Sequence, residues 1–269
     1  MLTLYTHPIS QPARTVWWLM AWKLPASAFK IVVLNPGELL SPPSFSFALK
    51  KKLTTYVRPH LNLLALLFFS FLLSGSPKAN GSRSPSFLAK TDNVGTVPAL
   101  ELPSGQVIYE MNAIMAYLAD KYEWTDLYST DLEERATINQ YFNWHHANLR
   151  AITKSRFAPL VRLDIPFSED QISADYKTAK KAIQNLDDRL SKSTFLCGDT
   201  LSLADFAASG ELIQTIEEYC NFAKLPINIL RWIEEMKKIP FFEKMHMTLG
   251  KFGQKVFQKN MLKSGRSKL

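Results

Sequence analysis

Val97-Pro98-Ala99-Leu100-Glu101-Leu102, Pro103-Ser104-Gly105 and Gln106-Val107-Ile108-Tyr109 decide the fold. The first stretch reads as a strand with proline at its edge, the second as a turn, the third as a returning strand. Downstream of this hairpin, Glu110 to Tyr122 is helical, with Ile114, Met115, Tyr117 and Leu118 at helical spacing. Upstream, Leu2, Leu4 and Tyr5 suit a strand. Ser10-Gln11-Pro12 then opens a helix, because serine favours the N-cap and proline the first turn. Val16, Trp17, Leu19 and Met20 give that helix an apolar face, and the β-branched run Phe29–Leu34 ends at the turn Asn35-Pro36-Gly37. The order is βαβ followed by ββα.

Beyond residue 122 the pattern changes. Residues 123–130 read as a linker, and everything from Asp131 onward looks helical, in segments near 131–158, 168–192, 202–220 and 226–238. The sharpest local signal is Leu201-Ser202-Leu203-Ala204-Asp205-Phe206. Ser202 can cap a helix, Asp205 answers three residues later, and Leu201 and Phe206 can staple around it. The fold class expected is therefore α/β plus all-α: a βαβ-ββα domain over 1–122, a helical bundle over 131–250 and a basic tail over 251–269.

The chain has 269 residues, enough for one or two domains with full cores. Two cysteines, Cys197 and Cys220, cannot supply a disulfide framework or a four-cysteine metal site. Residues 237–269 hold nine Lys or Arg against one acid, Glu243, which accounts for the whole net charge of +8. The rest of the chain is neutral, which argues against a nucleic-acid-binding body. His145 and His146 are adjacent and point about 100° apart on a helix, so they make no metal pair. The opening MLTLYTHPIS lacks the basic and apolar regions of a secretory signal.

Residues 38–80 do not fit their surroundings. They run from SPPSFSF through three lysines and LNLLALLFFSFLL to SGSPKAN. The apolar run, Leu61–Leu73, is 13 residues long, whereas a membrane span needs about 20. Asn80-Gly81-Ser82 fits a glycosylation sequon, without a secretory signal to support its use. The segment reads as an insertion, disordered or a loose helix, with a composition unrelated to its flanks; it is either translated intron or a genuine membrane-touching or partner-binding hairpin.

Several motifs in this order resemble the glutathione transferase family. Val97-Pro98-Ala99-Leu100 is similar to that family's strand with a cis-proline, and Glu110-Met111-Asn112-Ala113-Ile114 to its Glu-Ser-x-Ala-Ile helix start. Gly198-Asp199-Thr200-Leu201-Ser202-Leu203-Ala204-Asp205 resembles the capping motif of its helical domain. Leu4-Tyr5 … Ser10-Gln11-Pro12 and Tyr141 … Trp144-His145 … Leu149-Arg150 resemble its theta-like, serine-type branch. The likeness covers about 1–36 and 83–240. It implies a thioredoxin-like glutathione-binding domain, an all-helical electrophile-binding domain and a homodimer. It also implies glutathione as co-substrate with no tightly bound cofactor and no metal. The reaction implied is conjugation of the glutathione thiolate to a hydrophobic electrophile, with peroxide reduction as a related activity.

The chemistry fits these residues. A free thiol has a pKa of about 8.5, and holding it ionised at neutral pH takes a shift of roughly two units, or ~2.7 kcal/mol. A hydrogen bond to a charged group contributes about 1.5–3 kcal/mol, and a helix N-terminus adds ~0.3–1. Ser10, at the start of the first helix, is the candidate catalytic hydroxyl. Glutathione would be framed by Val97 (pairing its backbone with the tripeptide), Pro98, Glu110 on the ammonium, the amides at Met111 on the carboxylate, Gln11 and Arg83. Arg150 could reach the electrophile pocket.

The sequence departs from the family pattern at Met111, where serine is usual, and at Thr96, where a basic residue often precedes Val-Pro. Arg83 is the only basic substitute for the His or Lys that follows the second strand. The insertion sits beside the expected pocket, so two alternatives stand: a non-catalytic transferase-like interaction module, and an enzyme inactivated by 38–80. Membrane attachment through 61–73 and the tail is a further rival.

In the tail, Lys251, Lys255, Lys259 and Lys263 make one basic stripe on a helix, and Phe252, Val256 and Phe257 can form part of an apolar side. Ser267-Lys268-Leu269 matches the peroxisomal address, so peroxisomal import is expected, with a cytoplasmic location as the alternative.

Overall fold

In the computed structural model, the structure describes residues 1–34, 81–162, 166–216, 218–221, 223–257 and 259–260. The turn at 35–37, the insertion at 38–80 and the tripeptide 267–269 lie outside the described residues. Strand β1 (Leu2–Thr6) leads through helix α1 (Gln11–Lys23) to β2 (Phe29–Val33). Then come α2 (Pro85–Lys90), β3 (Ala99–Glu101), β4 (Val107–Tyr109) and α3 (Met111–Lys121). The four strands form one mixed sheet in the order β2-β1-β3-β4. β1 runs parallel to β2, pairing Leu4 with Ile31. It runs antiparallel to β3, pairing Leu4 with Leu100 and Tyr5 with Ala99. β4 returns against β3, pairing Tyr109 with Ala99.

The strand alternation sorts side chains onto two faces. Leu2, Leu4 and Leu100 enter the main core with α1 and α3, while Tyr5, Val32, Val97, Val107 and Tyr109 gather round Leu34, Phe87 and Ala99 beneath α2. Ser84 starts α2, its Oγ accepting the Phe87 N–H at 3.4 Å. Leu34 and Phe87 share that small cluster, so the chain on either side of 35–80 is seated on the same patch of core.

The helical part comprises α4 (Leu132–Ala147), a π-helical turn Thr153–Phe157, α5 (Ala158–Val161), α6 (Glu169–Leu190), α7 (Leu203–Ile213), α8 (Ile227–Lys237), α9 (Phe242–Phe252) and a second π-turn Gly253–Phe257. Sequence rules explain the starts. Asp131 Oδ1 accepts the Glu133 and Glu134 amides at 3.0 Å, and Ser168 Oγ accepts that of Gln171 at 3.2 Å. Glu169 and Asp170 complement the dipole of α6. At α7, Asp205 Oδ2 accepts both the Ser202 N–H and its hydroxyl at 2.9 Å, while Oδ1 accepts the Leu196 N–H at 2.9 Å and Trp232 Nε1–H at 2.8 Å. The capping box thus also ties α7 to α8. Two helices are shorter than their sequence patterns: the expected 131–158 stops at Ala147 before the π-turn, and 202–220 stops at Ile213.

One apolar core runs through both parts, from Leu2 and Trp18 to Phe206 and Trp232. Trp18 is fully buried against Phe206, Phe242 and His246, and its indole donates to Pro240 O at 2.8 Å. Trp124, Leu127 and Tyr128 of the linker are buried in the same core. Packing continues past residue 250: Phe252 and Phe257 are buried, and Phe257 stacks on Phe157. Lys251, Lys255 and Lys259 remain exposed. Among the described residues no helix is long and apolar enough to cross a membrane.

Candidate active site

The register places the sequence-derived site residues at one end of the sheet. β1 and β4 end there and β3 begins there, since Ala99 pairs with both Tyr5 and Tyr109. Ser10 follows β1, Val97-Pro98 precedes β3, and Glu110 follows β4. The Val97–Pro98 bond is cis. The Val97 N–H and C=O make no backbone hydrogen bond to the described residues.

Ser10 holds the N-cap position of α1 with extended backbone, φ −66° and ψ 118°. Its amide donates to His7 O at 3.0 Å and its carbonyl accepts from the Arg14 N–H at 2.9 Å. Its hydroxyl makes no capping bond, although sequence alone favours such a bond as its structural role. The hydroxyl is half-buried at the positive end of a 13-residue helix.

The loop carrying Ser10 is fixed from behind. Arg14 is 1% exposed and donates through Nη1 to Pro8 O and Ile9 O, both at 3.3 Å. Burial pulls its guanidinium down to about 10, against the opposing fields of Cys220, Tyr219 and Glu211. Burial, and secondly the Arg14 charge, lower the His7 imidazole to about 4, which keeps it neutral at physiological pH.

Glu110 is exposed and has φ +73° and ψ 122°, a conformation costing about 1–3 kcal/mol outside glycine. It directs the chain sharply from β4 into α3 without a side-chain cap. Met111, the position where serine was expected, turns inward: it is 6% exposed and its Sδ accepts from Gln11 Nε2 at 3.8 Å. Arg83 lies exposed ahead of α2, and its Nη1 would stand 3.3 Å from a Cβ at Gly95, two residues before Val97.

Gln11 and Arg150 face the seam between the two parts of the chain. Arg150 Nη1 donates to Gln11 Oε1 and to Glu211 Oε1, each at 2.6 Å. Gln11 is 3% exposed. Its amide is thus engaged at both ends, and one Arg150 nitrogen is held inside. Sequence reasoning missed Glu211, Thr153 and Gln214, which complete this seam. The signal was present: an acid inside the apolar helix Leu203–Ile213. Burial raises the thiols of Cys197 and Cys220 to about 11 and about 12, which keeps both protonated at neutral pH.

A thioredoxin-like sheet thus ends beside the Ser10 hydroxyl, which makes no capping bond, and the cis Val97–Pro98 peptide, and a helical domain packs against it. The family model described as glutathione S-transferase, N-terminal domain, matches residues 10–121, and the one described as glutathione S-transferase, C-terminal domain, matches residues 151–240. The chain belongs to the glutathione S-transferase family. It is 30% identical over 138 residues to rat glutathione S-transferase theta-2, covering 49% of this chain and 56% of that protein. It thus spans about half the length of that relative. It is 35% identical over 124 residues to Arabidopsis thaliana probable elongation factor 1-gamma 2, covering 46% of this chain and 29% of that protein. The fold matches the structure of human glutathione transferase theta-2 in complex with glutathione and an unknown ligand, with a TM-score of 0.67 and 19% identity, over 96% of this chain and 91% of that one.

Proposed function

We propose that the chain is a glutathione transferase of the serine type. The observation carrying this reading is the Ser10 hydroxyl, which makes no capping bond at the start of α1 and lies at the same sheet end as cis-Pro98 and Glu110. Glutathione loses its thiol proton to solvent. Ser10 Oγ–H then donates to the thiolate, and the N-terminus of α1 adds its field. The sulfur lone pair forms a bond to an electrophilic carbon, and the leaving group departs with its electron pair. The peptide backbone of glutathione pairs with Val97, as an added strand does. Its ammonium meets Glu110, its γ-glutamyl carboxylate the first amides of α3, and its glycine carboxylate Arg83. Gln11 and Arg150 act behind this site, because their polar atoms face each other and Glu211. The electrophile is apolar, no metal or bound cofactor takes part, and the working form is a homodimer. Sedimentation of the full chain should give about twice the protomer mass, and a single-protomer mass would contradict the dimer.

The test is glutathione-dependent turnover of a panel of alkyl halides, aryl halides and organic hydroperoxides by the full chain, repeated on a chain joining Gly37 to Gly81. Turnover by both supports the enzyme. Turnover only by the shorter chain assigns the loss to residues 38–80. Turnover by neither favours the interaction-module reading, which the similarity to the elongation factor supports. Import through Ser267-Lys268-Leu269 is a separate proposal resting on that tripeptide. A fluorescent protein fused ahead of Met1 should become peroxisomal, and should stay cytoplasmic when Leu269 is masked.

A further inference from the structure

Glu211 is fully buried on α7. Its carboxylate accepts three hydrogen bonds: Arg150 Nη1 at 2.6 Å on Oε1, and Thr153 Oγ1 at 2.5 Å and Gln214 Nε2 at 2.8 Å on Oε2. Gln214 Nε2 also lies 2.6 Å from Thr153 Oγ1. The bonds continue outward, because Arg150 Nη1 also donates to Gln11 Oε1 at 2.6 Å and Gln11 Nε2 to Met111 Sδ at 3.8 Å. Gln11 is the first residue of α1, directly after Ser10, and Met111 is the first residue of α3, directly after Glu110. A continuous line of contacts therefore runs from one buried carboxylate of the helical domain to both helix starts that frame the candidate site.

Gly210, beside Glu211, closes the same seam: a Cβ there would lie 2.3 Å from Gln11 Nε2 and 2.5 Å from Thr15 Oγ1. Gln11 is thus confined from one side by backbone and held from another by Arg150. Stability alone does not ask for a carboxylate here, since buried ion pairs are often matched or exceeded by apolar side chains of similar volume. What the carboxylate supplies is direction. It holds Arg150 Nη1, which in turn holds the Gln11 amide; Gln214 Oε1 is the one buried atom of this cluster without a hydrogen-bond partner among the described residues, and the chain of bonds from Glu211 to Gln11 does not pass through it.

We propose that Glu211 is a positioning residue for Ser10, setting the orientation of the α1 start through Arg150 and Gln11. This rests on the transferase reading. Among the described residues, Arg150, Arg14 and Tyr141 are ionisable groups that feel its charge. Glu211 makes no contact with Ser10, so it acts only through the groups between them.

The test uses the full chain with E211Q, T153V, S10A and the E211Q/S10A double variant. In the unliganded protein, E211Q should move the amide resonances of Ser10 and Met111. With glutathione, the ultraviolet absorbance of the bound thiolate should titrate about one pH unit higher in E211Q than in the unsubstituted chain, about tenfold less thiolate near neutrality. In the S10A background E211Q should add no further shift. T153V removes one of the three bonds, keeps the charge and should shift the midpoint the same way by less; it serves if E211Q fails to fold. Unmoved amides, an unchanged midpoint with only stability altered, or an equal E211Q shift with and without Ser10 would each overturn the proposal. Absence of bound thiolate in the unsubstituted chain would sink the transferase reading instead, and the amide shifts alone would then decide whether Glu211 reaches the helix start.

Discussion

Replacing Asp205 with alanine should cost about 3–5 kcal/mol of folding stability. The carboxylate is fully buried and holds three N–H donors: the backbones of Leu196 and Ser202, and the indole of Trp232. A stranded buried donor costs about 1–3 kcal/mol, which gives roughly 3–9 for three. Partial collapse around the vacated site brings the value toward the lower end, the range seen when one member of a buried charged network is removed. Against a total of about 5–15 kcal/mol, that is a large fraction. Asparagine should cost less, about 1–3 kcal/mol, because its oxygen can still accept from Leu196 and Trp232 while its NH2 faces the Ser202 N–H. Urea unfolding followed by tryptophan fluorescence and far-UV circular dichroism measures both. An alanine variant within about 1 kcal/mol of the unsubstituted chain would contradict the role of Asp205 as the acceptor for these donors, as would asparagine costing as much as alanine.

Three further outcomes are expected. G210A should destabilise by about 1–3 kcal/mol through overpacking against Gln11 and Thr15, although alanine in a helix otherwise gains about 1 kcal/mol over glycine; a net gain in urea unfolding would contradict the packed seam. Acid should weaken the fold before the carboxylates titrate. Burial lowers both His145 and His246 to about 3, so the unfolded chain takes up their protons first as pH falls below about 6.5, and stability drops from there toward pH 3. Together they should remove ~3–4 kcal/mol between pH 7 and pH 5, and a flat stability profile over that window would contradict their burial as neutral rings. E110G should be about 1–2 kcal/mol more stable than E110A, because only glycine tolerates φ +73° without strain, while both lose affinity for glutathione in calorimetric titration; equal stability would argue against strain at the α3 start.

Much of this molecule is legible in its sequence, for local reasons. The β-branched run at Phe29–Leu34, the hairpin around Pro103-Ser104-Gly105 and the Ser202–Asp205 box are signals within a few residues, and the structure contains each. Signals that depend on distant partners were not legible. Ser10 looked like a structural cap as much as a functional hydroxyl, and only its neighbours' geometry shows that its side chain leaves the cap bond unmade. Gln11 looked like a ligand of the site by adjacency to Ser10, yet its partners Arg150 and Met111 lie 139 and 100 residues away. The helix expected over 131–158 stops at Ala147, where the Asn148 side-chain amide turns back on Trp144 O, and the π-turn beyond it brings Thr153 to Glu211, a contact that no periodicity records. Met111 reads as a lost serine in sequence, whereas in space it is the apolar stop against which Gln11 rests.

If the proposed function is right, Ser10 holds glutathione as its thiolate. The most direct measurement is difference ultraviolet absorbance of glutathione bound to the full chain, titrated against pH and repeated with S10A at matched occupancy. The bound thiolate should have a midpoint below neutrality, about two units under the free thiol, that returns most of the way to about 8.5 in S10A. A midpoint that is the same with and without the serine hydroxyl would contradict it.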